Sequence, residues 1–336
     1  MDSLSQIALG SAVGVAVMGR RTALWKAALW GAVCGTLPDL DTFIDHGDPV
    51  ANMTLHRGDS HALFWLSLVS LPIGAAIARL HGEWSLWKRW WLAAWLALVT
   101  HPLLDLMTVY GTQLARPFSD HPFAVGSVFI IDLLYTLPLL IGTGVALASR
   151  GPAALRWNTA GLVLSTAYIA WGWAAQQHVS GVARQALADQ GISAERVLVT
   201  PTPFNTVLWR IVAITPDGYV EGFRSLLDAD RRITFDAFPR GAALRAELGD
   251  NQAVQRIAAF SQGFYKLSES QGALYVTDLR MGQEPNYTFS FKVAQRHSAL
   301  APVLPPESAG RRPDDIPRAL NWVWRRALGE RLPPPR

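Results

Sequence analysis

Apolar residues gather into six long runs in the first half of the chain, at approximately 3–19, 23–37, 62–80, 90–108, 128–148 and 157–176. Several approach the ~20 residues that carry a helix across a bilayer. The second run is short, which suits a tilted, re-entrant or neighbour-buried segment. After His178 the pattern changes. Residues 181–190 predict a short helix, and 196–200, 207–214, 219–224, 273–280 and 287–293 predict strands, the last by clean alternation. Thr215-Pro216-Asp217-Gly218 predicts a turn, because Pro presets φ and Gly accepts φ > 0. A helix is expected at 251–266, and the Pro-rich end (Pro302, Pro305, Pro306, Pro333 to Pro335) is expected to be loosely ordered. The pattern therefore predicts an α-helical polytopic membrane domain of about six helices over 1–178. A small α+β soluble domain over 179–336 follows it.

Composition sharpens this picture. Half of the 336 residues are hydrophobic and 17% are charged, against about 25% in soluble domains. The single cysteine, Cys34, lies in an apolar run and excludes an internal disulfide. The net charge of +4 comes from scattered Arg rather than a basic block, so no nucleic-acid partner is expected. Asp2 replaces a basic n-region and Gly19-Arg20-Arg21 closes the first run, which argues against a cleaved signal peptide. Arg20, Arg21 and Lys26 separate runs one and two. Arg79, Lys88 and Arg89 separate three and four, and Arg150 and Arg156 separate five and six. The positive-inside rule places these loops in the cytoplasm and puts loops 38–61 and 109–127, with everything after run six, outside.

Those outer loops and run ends hold the chemistry. Asp39 and Asp41 flank Leu40 after Pro38; His56 and His61 bracket Arg57-Gly58-Asp59-Ser60; His101 and Asp105 are spaced i, i+4; Asp132 is a lone acid in run five. A charged side chain at mid-bilayer costs roughly 2.5–3.5 kcal/mol on insertion scales, so so many acids and imidazoles need partners. A divalent metal converts their mutual repulsion into ligation. On a helix His101 and Asp105 share one face, which suits two ligands of one ion, a ligand with its orienting carboxylate, or a hydrogen bond pinning two helices. Asp39 and Asp41 suit chelation or a solvated turn. Ser60 or Asp59 suits a helix cap, and Arg57 suits either an anionic substrate or an ion pair with Asp59. Asp2 and Gln6 open run one together. Asp45, His46 and Asp48 are weaker candidates, and His81, His121, His178 and His297 read as structural or exposed.

Met1-Asp2-Ser3-Leu4-Ser5-Gln6, the segment Gly31 to Asp41, His56 to His61, and His101 to Gly111 together resemble the inner-membrane metal-dependent hydrolases of the YdjM type. Pro117 to Asp120 and Phe129 to Asp132 extend the likeness, which covers roughly the first 150 residues. The family is distantly similar to zinc-dependent phospholipase C and the fungal single-strand nucleases, helical enzymes that hydrolyse phosphodiesters with clustered zinc. The resemblance implies Asp39, Asp41, His56, His61, His101, Asp105 and Asp132 as metal ligands. This chain departs from the pattern at Gln6, where many members have His. Asp278-Leu279-Arg280-Met281-Gly282 is a further, less specific likeness that suits a functional surface on the outer domain.

The expectation is a multi-pass inner-membrane hydrolase of an ester or phosphoester, with a lipid substrate within reach. Its cofactor is a divalent metal, Zn²⁺ first and Mn²⁺ or Fe next. Asp39, Asp41, His56, His61, His101 and Asp105 would hold the metal, Arg57 would stabilise the oxyanion, and Asp132 or Asp59 would act as base. Two other classes stay open: a scaffold or stress-related regulator with a structural metal, and a cation or proton transporter.

Overall fold

The computed structural model describes residues 1–149, 153–311 and 313–336; Arg150, one of the basic loop residues, lies outside them. The chain forms two units. The first contains 1–44 and 57–173, the second 45–56 and 174–336.

In the first unit the apolar runs are helices: α1 (Ser3–Met18) and α2 (Leu24–Thr36) precede α3 (Pro49–Leu55) of the second unit, and α4 (Leu63–Leu80), α5 (Trp87–Leu106) and α6 (Leu133–Ala148) follow. The sixth run opens α7 (Ala154–Asp189), 36 residues long. The separate helix expected at 181–190 is the tail of α7, since the polar stretch Gln176-Gln177-His178 contains no residue that stops a helix. Among the described residues α4 alone is long and apolar enough to cross a membrane by length and composition. The helices pack around Val15, Met18, Ala27, Cys34, Trp90 and Leu98. Pro38 ends α2, because its ring cannot continue the helix, and the chain turns through a 3-10 segment at Leu37–Phe43.

The second unit is rich in β-sheet. Strands β1 (Arg196–Pro201), β2 (Leu208–Ile214), β3 (Gly218–Ser225) and β4 (Phe235–Pro239) form an antiparallel meander. Helices α8 (Ala242–Glu247) and α9 (Gln252–Phe260) follow. Next come β5 (Tyr265–Ser270), β6 (Ala273–Asp278), the short pair β7 (Gly282–Gln283) and β8 (Asn286–Tyr287), β9 (Ser290–Arg296) and β10 (Leu300–Ser308). The second sheet is ordered β10-β9-β6-β5, and α10 (Ile316–Ala327) follows it. The first part of the Pro-rich end is ordered: Pro302, Pro305 and Pro306 lie in edge strand β10, whose register shifts between Pro302 and Glu307, whereas Pro333 to Pro335 lie in no helix or strand. An edge strand tolerates Pro because one row of its N–H groups has no ladder to serve. Helix α3 packs against α9 and β10, which takes residues 45–56 into this unit. Asp278 and Arg280 form no surface. They are buried, with Arg280 Nη2 2.7 Å from Asp278 Oδ2 and the guanidinium over the Phe260 ring.

Candidate metal centre

Four groups from three segments converge in the first unit. Asp39 comes from the 3-10 segment after α2, His61 from the turn before α4, and His101 and Asp105 from successive turns of α5. Their atoms outline a tetrahedron. Asp39 Oδ1 is 3.4 Å from His61 Nε2 and 3.3 Å from His101 Nε2. The two Nε2 atoms are 3.1 Å apart. Asp105 Oδ2 lies 3.3 Å from His61 Nε2 and 3.4 Å from His101 Nε2. All four ligand atoms fall within 4.8 Å of one another. Ligands at zinc's usual 2.0–2.1 Å stand about 3.3–3.4 Å apart in a regular tetrahedron. These five separations, from 3.1 to 3.4 Å, lie close to that spacing.

The surroundings aim these atoms inward. His101 Nδ1–H donates to the Gly35 carbonyl at 2.6 Å, and a carbonyl can only accept, so the ring in its neutral form turns its Nε2 lone pair to the cluster. Ser60 Oγ donates to Asp41 Oδ2 at 2.5 Å and takes His61 Nδ1–H at 2.8 Å, which fixes the same tautomer in the second ring. Asp41 is thus an orienting carboxylate one step behind His61. Arg57 N donates to Asp41 Oδ2 at 2.9 Å and Gln113 N donates to Arg57 O at 3.0 Å. Those bonds hold Arg57 at φ 64, a left-handed conformation that a side chain rarely adopts.

The arrangement could hold a cation. Two imidazole lone pairs and two carboxylate oxygens at these distances repel one another, and three of the four side chains are fully buried. Asp105 Oδ2 is buried without a well-formed hydrogen bond, although Arg57 Nε stands 3.2 Å away. Gln6 Nε2 serves the other oxygen, Oδ1, at 3.1 Å, and the Met1 amino group also meets it. Arg57 is itself buried, with Nη1 3.3 Å from Thr108 Oγ1 and its guanidinium 4.9 Å over Tyr110. Asp39 keeps 21% of its side chain exposed and forms the open lip. Burial opposes its charge, but when the two facing Nε2 atoms carry protons their hydrogen bonds outweigh that and hold its carboxyl well below the usual range.

A family profile described as YdjM inner membrane protein matches residues 1–179. The chain belongs to the YdjM inner membrane protein family. An uncharacterized protein of Bacillus subtilis (strain 168), YfhP, is 25% identical over 248 residues, which cover 69% of this chain and 72% of that one. No solved structure matches. Asp39, His61, His101 and Asp105 all lie inside the span matched by the YdjM profile.

The remaining sequence candidates stand elsewhere. His56 closes α3 and is counted with the second unit. Asp59 is 61% exposed and pairs with Arg116 Nε at 3.2 Å. Asp132 caps α6, taking the Leu134 N–H at 3.1 Å, and accepts from Tyr168 Oη at 2.8 Å. Arg57 faces Asp105 rather than Asp59. The sequence suggests Ser60 or Asp59 as a helix cap and does not single out the Gly35 carbonyl. A hydroxyl directly before a candidate ligand His was the available signal for the first. Nothing in sequence marks a particular carbonyl.

Proposed function

We propose that this protein is a multi-pass inner-membrane hydrolase of an ester or phosphoester, lipid included, built on one divalent-metal centre. The second unit would lie outside the cytoplasm. The observation that carries the reading is the tetrahedron of Asp39, His61, His101 and Asp105, made of N and O donors alone. Structural zinc sites favour thiolates, whereas imidazole and carboxylate sets are the usual choice of hydrolytic ones. A divalent ion held there supplies Lewis acidity and brings a water's pKa toward neutrality. Asp39, the partly exposed member, stands on the side from which water and the substrate carbonyl or phosphoryl group would enter. Arg57 offsets the Asp105 charge, which leaves a more positive site for an anionic ester. The donor set suits Zn²⁺ and also admits Mn²⁺ or Fe.

A second reading, a non-enzymatic protein with a structural metal, draws on the same four atoms, because they already complete a tetrahedron. Metal content by mass spectrometry on detergent-purified protein tests both, beside Asp39→Ala and His101→Ala. About one metal per chain is expected in the parent and none in folded variants. Absence of metal after reconstitution with Zn²⁺ or Mn²⁺ would overturn both readings. Stoichiometric metal without turnover of carboxyl-ester, phosphomonoester or phospholipid substrates would leave the structural one.

A further inference from the structure

The second unit holds a guanidinium seat that the metal centre does not use. Glu221 on β3 is fully buried, and its two oxygens serve different partners. Oε2 takes Arg210 Nε at 2.7 Å and Nη2 at 2.6 Å. Oε1 takes Arg336 Nη1 at 2.6 Å. The same nitrogen donates to the Glu284 carbonyl at 3.2 Å, Nη2 reaches Asp236 Oδ2 at 2.5 Å, and the guanidinium lies 4.7 Å over the Phe238 ring. Two carboxylates met by two different nitrogens, with an aromatic face beneath, suit a planar fork and not an ammonium.

A cavity of about 370 Å³ adjoins the seat and shares Phe238 and Glu284 with it; Pro239, Gly241, Lys266 and Leu267 also line it. Its walls come from β4 and β5, the edge strands of the two sheets, which meet where Leu267 N donates to Arg240 O at 3.0 Å. Edge strands carry backbone groups that an added extended segment can pair. The seat is also partly open to solvent. Arg336 keeps 31% of its side chain exposed, as does the rim at Asp236, at 46%. When Arg336 leaves, Glu221 Oε1 loses its donor in a buried place, so an incoming guanidinium regains a charge-assisted bond.

We propose that this seat and cavity recognise extended, arginine-bearing protein segments, and that the chain's own 333–336 segment holds the seat until a partner displaces it. Tethering gives the internal segment a high effective concentration, so an external one gains access when Arg336 is gone.

The test uses the full chain in detergent and the anisotropy of a labelled peptide with the sequence of residues 331–336. Binding to Arg336→Ala should be about tenfold tighter than to the parent, or more. It should weaken when the peptide's final Arg is replaced by Lys. It should vanish when that Arg is replaced by Ala, or when Asp236→Ala is added to the variant. Equal binding to parent and variant, no binding to the folded variant, or indifference to the peptide's Arg would each overturn the proposal. Should Arg336→Ala lower the folded fraction, Arg336→Lys, which keeps the charge and loses the fork, is read against the same peptides with the same criteria.

Discussion

Ser60 decides which nitrogen of His61 faces the centre, since its hydroxyl joins Asp41 to His61 Nδ1. Ser60→Ala leaves every ligand atom in place and frees the ring to turn. Outer partners of this kind are worth about 10–100-fold in metal affinity, and that loss is expected here. Ser60→Thr, which keeps the hydroxyl, should restore most of it; chelator competition measures both. If Ala and Thr behave alike, the hydroxyl has no orienting role. The ligands also predict a pH response. Weakening of the centre in acid is expected from the two imidazoles, whose Nε2 atoms must be free of protons to bind. Affinity should fall as pH drops and protons compete for both Nε2 atoms, approaching a hundredfold per pH unit once both apo rings are protonated. Calorimetry in buffers of different ionisation enthalpy would register the released protons. A pH-independent affinity would remove the histidines from the ligand set.

At the scale of elements, the centre depends on how closely two helices approach. A Cβ on Gly31 of α2 would overlap the Gly10 carbonyl of α1, and one on Gly35 would sit 2.7 Å from the Gln6 carbonyl. This backbone contact sets α1 against α2 and places both Gln6 near Asp105 and the Gly35 carbonyl near His101. Gly31→Leu should therefore force the pair apart, lowering stability by about 1–3 kcal/mol and depleting the metal. A thermal melt paired with metal analysis checks this, and normal metal content at lowered stability would uncouple helix packing from the centre. The helices themselves were legible because long apolar runs have few alternatives, and β1 to β3 because hydrophobic strands lay between turn signals. The strand β4, the Pro-containing β10 and the amphipathic α10 were not, since Pro and charge density mask strands and helices whose partners lie far away in sequence. Among the site residues, the i, i+4 pair His101 and Asp105 was readable from spacing. The division of labour between Asp39 and Asp41 was not: two residues apart on extended chain point the same way, but the 3-10 turn after Pro38 sends one carboxylate to the centre and the other to Ser60.

For the whole molecule, the division into units constrains how the chain can thread a bilayer. Residues 45–56 and 174–336 belong to one unit, so under the proposed multi-pass reading both would lie on the same side. The chain between them must then cross an even number of times. The four apolar runs at 62–80, 90–108, 128–148 and 157–176 would satisfy that condition as four spans, and the basic residues Arg79, Lys88 and Arg89 sit at the helix ends flanking the turn that four spans would place opposite the second unit. Neither argument borrows from the other, since one rests on packing and the other on loop charge. Single cysteines in a Cys34→Ser background separate the outcomes with a membrane-impermeant maleimide on intact spheroplasts. His46→Cys and Asp250→Cys, both exposed, should label from outside, whereas the exposed Ser85→Cys should label only after lysis. Labelling of 46 and 250 from opposite sides would break the parity argument and with it the four-span path. Labelling of 85 alone would keep the parity and invert the orientation, which would move the metal centre's open lip at Asp39 to the cytoplasmic face.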